Sequence, residues 1–270
     1  MSIAMRQTQR QNRNLERLLT TEIGREDYAA FSRIVSNRYA LPGTRAFWPT
    51  SVVDYTAPHL TDIAHGYDLT ANNGAVAGYT GLIPYIFTDG VNQSCSRADA
   101  PGWADIIGNE TIFEAAARGL TFISWVRFTN AIAADESIMS KWTAGGNQKA
   151  YRLWRHNSGI LRGQITTDGA TNFTIDSTGT LADSLWYHVA LQYNPSTKLS
   201  VWINGVETTI GVAVPATIFN SNSIFELGAA NAGTVQFMDG RQSMASLHAN
   251  FLSNAIIATS FEQERALYGV

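Results

Sequence analysis

Cysteine is all but absent: Cys95 is the single one in 270 residues. No intramolecular disulfide can form, so an oxidising compartment is not implied, and a lone thiol reads as a small buried apolar group. Charge is scarce as well. Asp, Glu, Lys and Arg make up 15% of the chain against 45% hydrophobic residues, a balance that excludes intrinsic disorder and supplies apolar surface for a core. The neutral surface it implies is of the kind other subunits contact. No apolar run approaches the ~18 residues needed to cross a bilayer, and the opening stretch MSIAMRQTQRQNRNLERLL has no apolar segment of signal type. The chain is therefore expected to be made in the cytoplasm, without membrane contact. The sequons at Asn92, Asn109 and Asn172 then read as chance.

Catalytic patterns are missing too. Glycoside cleavage on a β-sandwich needs two carboxylates facing one groove from alternate strand positions. Glu110 and Glu114 lie four apart, which suits a helix, and Asp135 and Glu136 are adjacent, so a strand would point them apart. His59, His65, His156, His188 and His248 sit in no nucleophile context, and no Gly-x-Ser-x-Gly occurs. His188, mid-strand beside Trp186, reads as a hydrogen-bonded structural histidine. No Cys/His cluster has zinc spacing, and the Gly-rich stretch from Thr143 to Asn147 lacks the Lys-Ser/Thr of a phosphate loop. The chain is expected not to be an enzyme.

What is present begins with a basic arm. Residues 1–45 hold eight Arg against four acidic residues, or +4, which leaves −7 for the rest of a chain of net charge −3. Leu15, Leu18, Leu19 and Ile23 fall at helical spacing, and Tyr28, Phe31, Ile34, Val35 and Tyr39 form a second apolar face before Leu41-Pro42-Gly43. Such faces must cover something, either the rest of the chain, a sister chain or a larger assembly. Residues 1–44 are read as a helical anchoring arm, with Leu15, Leu18, Leu19, Ile23 and Phe31 as its assembly contacts. Its positive charge reads as the solvated side of an amphipathic helix. Since the remainder is acidic, nucleic-acid binding is not expected.

From residue 45 the texture changes to short β-prone runs between Gly, Asn, Asp and Pro clusters. The run Leu120 to Phe128 places Phe122, Ser124, Val126 and Phe128 on one face and Ile123 and Trp125 on the other, as in a strand covered on both sides. Ala150 to His156 and Ile160 to Thr166 are joined by Asn157-Ser158-Gly159, and Leu199 to Ile203 meets Val206 to Thr209 through Asn204-Gly205, both hairpin signals. Further strands are expected over 171–175, 186–193, 224–228 and 236–251, with a terminal helix over 255–268. The predicted class is mainly β: an antiparallel jelly-roll β-sandwich over residues 45–270, preceded by the N-terminal helical arm.

In order and spacing, these segments resemble the laminin-G-like, concanavalin A-like lectin/glucanase family of jelly rolls. Leu120 to Phe128 looks like its first core strand, Ile138-Met139-Ser140-Lys141-Trp142 like the segment that follows, Trp186 to Tyr193 like its Trp-x-His-Val-Ala strand, and Leu199 to Val206 like its Asn-Gly hairpin. Gly240 to Leu247 with Phe251-Leu252-Ser253 looks like its closing strand and helix start. The family carries an acidic pair shortly after that glycine, where this chain has Ser243 and Met244. The resemblance therefore brings no acidic role to that site. An arm joined to such a module also resembles proteins of bacteriophage particles, head decoration or tail fibre, which implies a place in the virion beside other virion subunits and as a homo-oligomer.

Two readings follow. In the first, the chain is a structural particle protein held by its arm, so that deleting 1–44 leaves a folded sandwich that no longer assembles. In the second, it is a carbohydrate-binding module for surface glycans, with Trp142, Asn147 and Trp154 around one polar loop as the site. A glycoside hydrolase of the same fold is a third reading. If an ion is bound, calcium is the one expected for this fold class, with Asp62, Asp68 and Asn72 forming one oxygen-rich loop and Asp89, Asn92 and Asp99 another. The competing reading of both loops is ordinary turn chemistry.

Overall fold

The structure is a computed structural model and describes residues 25–50, 59–80, 83–100, 109–114, 118–129, 133–211 and 214–270. Helix α1 (Arg25–Tyr39) leads into β1 (Thr44–Trp48), β2 (His59–Leu60), β3 (Leu69–Asn72), β4 (Val76–Thr80), β5 (Ile83–Asp89) and β6 (Ser94–Arg97). Then come β7 (Leu120–Phe128), β8 (Glu136–Thr143), β9 (Gln148–Arg155), β10 (Ile160–Thr166), β11 (Asn172–Thr180), β12 (Trp186–Asn194), β13 (Lys198–Ile203) and β14 (Val206–Gly211). The chain closes with β15 (Phe225–Leu227), β16 (Asp239–His248) and helix α2 (Asn254–Tyr268).

The described strands form two antiparallel sheets. The first runs β14-β13-β12-β7-β16-β5-β4, and β1 also pairs with β16. The second runs β11-β10-β9-β8-β15-β6-β3-β2. Period-2 alternation decides what lies between them. Cys95, Leu227, Met139, Leu153, Gly163 and Ile175 stand side by side across the second sheet, and the five with side chains belong to the main core with Phe122, Phe128, Tyr193 and Leu247. Gly163 marks the closest approach: a Cβ there would lie 2.5 Å from Leu191 and 2.9 Å from Val201 of the first sheet. Cys95 is a buried free thiol, as its isolation implied.

The sandwich and its hairpins follow the sequence pattern. Asn204 and Gly205 take φ of 50° and 73°, the two left-handed positions a two-residue hairpin requires. Strand β16 changes neighbour part-way: Asp239–Gln242 pairs with β5, and Ala245–His248 with β1. The change is made by a bulge at Met244, with φ of 52°. Ser243 beside it reaches the Pro84 carbonyl (2.6 Å) and the Tyr268 hydroxyl (2.8 Å). This is where the family's acidic pair would stand.

The described part of the arm packs on its own sandwich. Phe31, Ile34, Val35 and Arg38 make one stripe of α1, and Ile257, Ser260, Phe261, Glu264 and Tyr268 one of α2, whose amino end is capped by the Ser253 side chain on the Ile256 amide. Both stripes rest on the outer face of the first sheet, where Phe31, Ile34, Phe47, Trp125, Trp186, Met244, Phe261 and Tyr268 form a second core. Phe31 is thus covered by its own sandwich rather than offered to an assembly. Arg38 continues the stripe as a buried cation, its Nε 2.9 Å from Glu264 Oε1, and Trp125 Nε1 donates to the same carboxylate (2.6 Å). Leu15, Leu18, Leu19 and Ile23 lie outside the described residues. No described helix is long and apolar enough to cross a membrane.

Candidate functional site

The outer face of the second sheet is polar across its whole width. Thr70, Ser96, Glu226, Ser140, Arg152, Gln164 and Thr174 stand in one transverse row, each beside the next. They alternate with the core row that contains Gly163, so they point away from the first sheet. One half of the row is roofed by residues 228–238. The Ser140 hydroxyl donates to the Ala229 carbonyl (2.9 Å), and the Ala232 amide donates to Glu226 (3.1 Å). The other half grades outward: Gln164 is buried at 5% exposure, Arg152 is half-buried and bonded to Gln236 of that segment, and Thr174 is exposed.

Here the side chains form a ladder. The Arg152 guanidinium lies 4.3 Å from the centre of the Trp142 ring and 3.9 Å from that of Trp154. Lys149 and Arg162 flank the same two indoles at 5.7 Å each. Neutral amides fix Arg152 in place: Nε donates to Gln164 (2.9 Å) and Nη1 to Gln236 (3.2 Å). Those amides are held in turn, Gln164 by Thr174 (2.5 Å) and Gln236 by Asp135 (3.1 Å). Arg162 pairs with Asp176 across to β11, Nη2 to Oδ2, at 2.7 Å. Burial pulls the Arg152 pKa down to about 10, partly offset by Asp135.

The structure brings Trp142 and Trp154 together on this face but not as bare rings: they are 4% and 2% exposed, under the three cations. They act as walls for Arg152. Asn147 is exposed at the tip of the β8–β9 loop, with φ of 54°. The side chains flanking Trp154 went unnoticed in the sequence. The signal was present: Arg152 lies two residues before Trp154 and Arg162 two before Gln164, the spacing that puts strand residues on one face.

Hydrogen bonds within the chain organise the oxygen-rich loops. Asp62 accepts the amides of Phe47 (2.7 Å), Ala64, His65 and Tyr67 (2.9 Å each), two per oxygen, which fills its acceptor positions. Asp68 accepts the Asp62 amide (2.8 Å), and the Asn72 amide group donates to Ser94 and Ser96. Asp62, Asp68 and Asn72 therefore do not converge as calcium ligands. Asp89 is likewise taken by the amides of Val91, Asn92 and Gln93, and Asp99 by Lys141. Turn chemistry explains both loops.

Four carboxylates meet Lys141 or Arg155 inside the protein. Lys141, fully buried, lies 2.8 Å from Glu110 and 2.9 Å from Asp99. Arg155 bridges Glu136 and Asp183 (Nε–Oε2 and Nη1–Oδ1 both 2.7 Å). Burial pushes Glu110 and Glu226 up to about 7, a range useful to a general acid, but both are fully enclosed. His188 is buried against Trp125 and Arg38, and its desolvation keeps it neutral well below its ordinary range.

The family described as the concanavalin A-like lectin/glucanases superfamily matches residues 106–258, more than half of the chain. The chain belongs to this concanavalin A-like superfamily. No curated protein matches it by sequence. Among solved structures, this superfamily member is similar to Trypanosoma rangeli sialidase in complex with sialic acid, with TM-score 0.62 and 15% identity over 90% of this chain and 38% of the sialidase. It is also similar to the botulinum neurotoxin serotype D binding domain, with TM-score 0.58 and 10% identity over 84% of this chain and 52% of the toxin domain. The serotype G binding domain gives 0.56 and 11% over 75% and 48%. The chain thus spans about two fifths of the sialidase and half of each toxin domain, and at these identities the likeness is one of fold. These similar structures are sialidases and toxin binding domains rather than particle proteins. They overturn the expectation of a phage virion component.

Proposed function

We propose that this concanavalin A-like sandwich is a carbohydrate-binding module that holds a glycan on the Arg152–Thr174 half of the second sheet's outer face without cleaving it. The observation that carries the reading is the row Arg152–Gln164–Thr174 with the Arg162–Asp176 pair beside it. It is a flat set of donors and acceptors, fixed in place by hydrogen bonds to one another and by the two indoles. Sugar hydroxyls are matched by planar Arg, Gln and Asp groups, and fixing those groups beforehand lowers the ordering cost of binding. Membership of a lectin and glucanase superfamily supports the same class of ligand. Cleavage would need an acid and a second carboxylate in contact with the sugar. The Asp99/Glu110 and Glu136/Asp183 pairs are instead spanned by Lys141 and Arg155, which supports binding alone.

The test is a glycan array probed with the full chain. Binding is expected, and Gln164→Ala and Asp176→Ala should each weaken it by roughly 5- to 30-fold, the worth of one or two hydrogen bonds. Incubation with the bound glycan should release no shorter sugar. Absence of retention across a broad array at high protein concentration counts against the reading.

A further inference from the structure

Resting on that carbohydrate reading, we infer that the glycan is acidic and that Arg152 receives its carboxylate. The inner cations of this protein set the comparison. Arg38, Lys141 and Arg155 are fully buried, and each meets a carboxylate: Glu264, Glu110 with Asp99, and Glu136 with Asp183. A cation removed from water without such a partner is costly. Arg152 lies against two indole rings, yet among the described residues it forms no ion pair. Its two partners are the neutral amide oxygens of Gln164 and Gln236. Asp135 is held one residue away by Gln236.

The guanidinium also has donors to spare. Its carbon lies 4.3 Å from the centre of the Trp142 ring and 3.9 Å from that of Trp154, and a further partner meets it along its N–H edge. Two of its five N–H groups are engaged by described residues. A carboxylate matches such an edge with two parallel hydrogen bonds. Donors exceed acceptors nearby as well. The indole N–H of Trp154, buried, meets no acceptor among the described residues, and Lys149, 5.7 Å from the centre of the Trp142 ring, forms no ion pair among them. Two cations without an ion pair among the described residues and an unmet donor thus share one face.

The probes are sialyllactose, a glucuronate-terminated disaccharide and a sulfated disaccharide, with lactose as the neutral counterpart, titrated against the full chain. Either carboxylated sugar should bind roughly 10- to 100-fold more tightly than lactose, as a charge-assisted pair implies. Arg152→Gln, checked for an unchanged melting transition, should fall to the lactose level, and Arg152→Lys should lie between. Methyl esterification of the bound sugar's carboxylate should abolish the preference with the protein untouched, which keeps the test valid if the variants misfold. Equal binding of acidic and neutral sugars, an ester that binds as well as the acid, or preference for the sulfated probe alone overturns the carboxylate assignment and leaves the carbohydrate reading standing. Failure of all four probes and of the wider array overturns both.

Discussion

Glu226 shows how one residue can set the pH response of the molecule. It stands mid-sheet beneath residues 228–238, and burial raises its pKa from 4.5 to about 7, against which the amides of Gly233 and Ala232 and the Ser140 hydroxyl act only in part. The folded state therefore holds this proton more tightly than the unfolded chain. Below pH 4.5 both states are protonated. As pH rises through that value toward 7, the unfolded chain releases the proton first, and stability falls until the folded carboxyl has ionised too. The full excursion corresponds to at most about 3 kcal/mol. Urea unfolding should show the wild type less stable at about pH 8 than at about pH 5, and Glu226→Gln should lessen the difference. It will not remove it, because Glu110 is also raised to about 7 and ionises in the same window beside Lys141. An unchanged pH dependence in Glu226→Gln would show that residue 226 is already ionised in the fold.

At the scale of elements, α1 and the row across the second sheet show what is legible and what is not. Phe31, Ile34 and Val35 declare a helix face by spacing alone. Arg38 closes the same stripe but is charged, so nothing in the sequence tells a solvated guanidinium from one that meets Glu264, 226 residues on. The same holds in the sheet. Trp142 and Trp154 were recognisable as aromatic, whereas Arg152 acquires its meaning only when β8 pairs with β9 and brings Trp142 to the face that Arg152 shares with Trp154. Hairpins such as Asn204-Gly205 are local and were readable. The neighbours of β15, namely β6 and β8, are set by long-range packing and were not. The buried stripe of α1 gives a direct prediction. Phe31→Ala removes a side chain 2% exposed in a packed cluster and should cost roughly 3–5 kcal/mol in chemical unfolding. A loss below about 1 kcal/mol would mean the helix contributes little to the folded sandwich.

At the scale of the whole molecule, the two outer faces are divided between two tasks. Both helices cover the first sheet, and the polar row lies on the second, so stability and recognition can be separated by truncation. Deleting residues 1–43 keeps β1, which pairs with β16, but removes Phe31 and Ile34 from the second core and Arg38 from Glu264. The apolar loss is about 3–5 kcal/mol for Phe31 alone, and a buried carboxylate stripped of its cation costs about as much again. Small domains have about 5–15 kcal/mol in total. The truncated chain should therefore melt far below the full chain or fail to fold, whereas a helix that only anchored the protein elsewhere would leave the melting temperature unchanged. Adding Glu264→Leu to the truncation removes the orphaned charge and should recover part of the loss. If it recovers none, the cost lies in the exposed apolar face over Trp125 and Met244, and the Arg38–Glu264 pair is a consequence of helix docking rather than its cause.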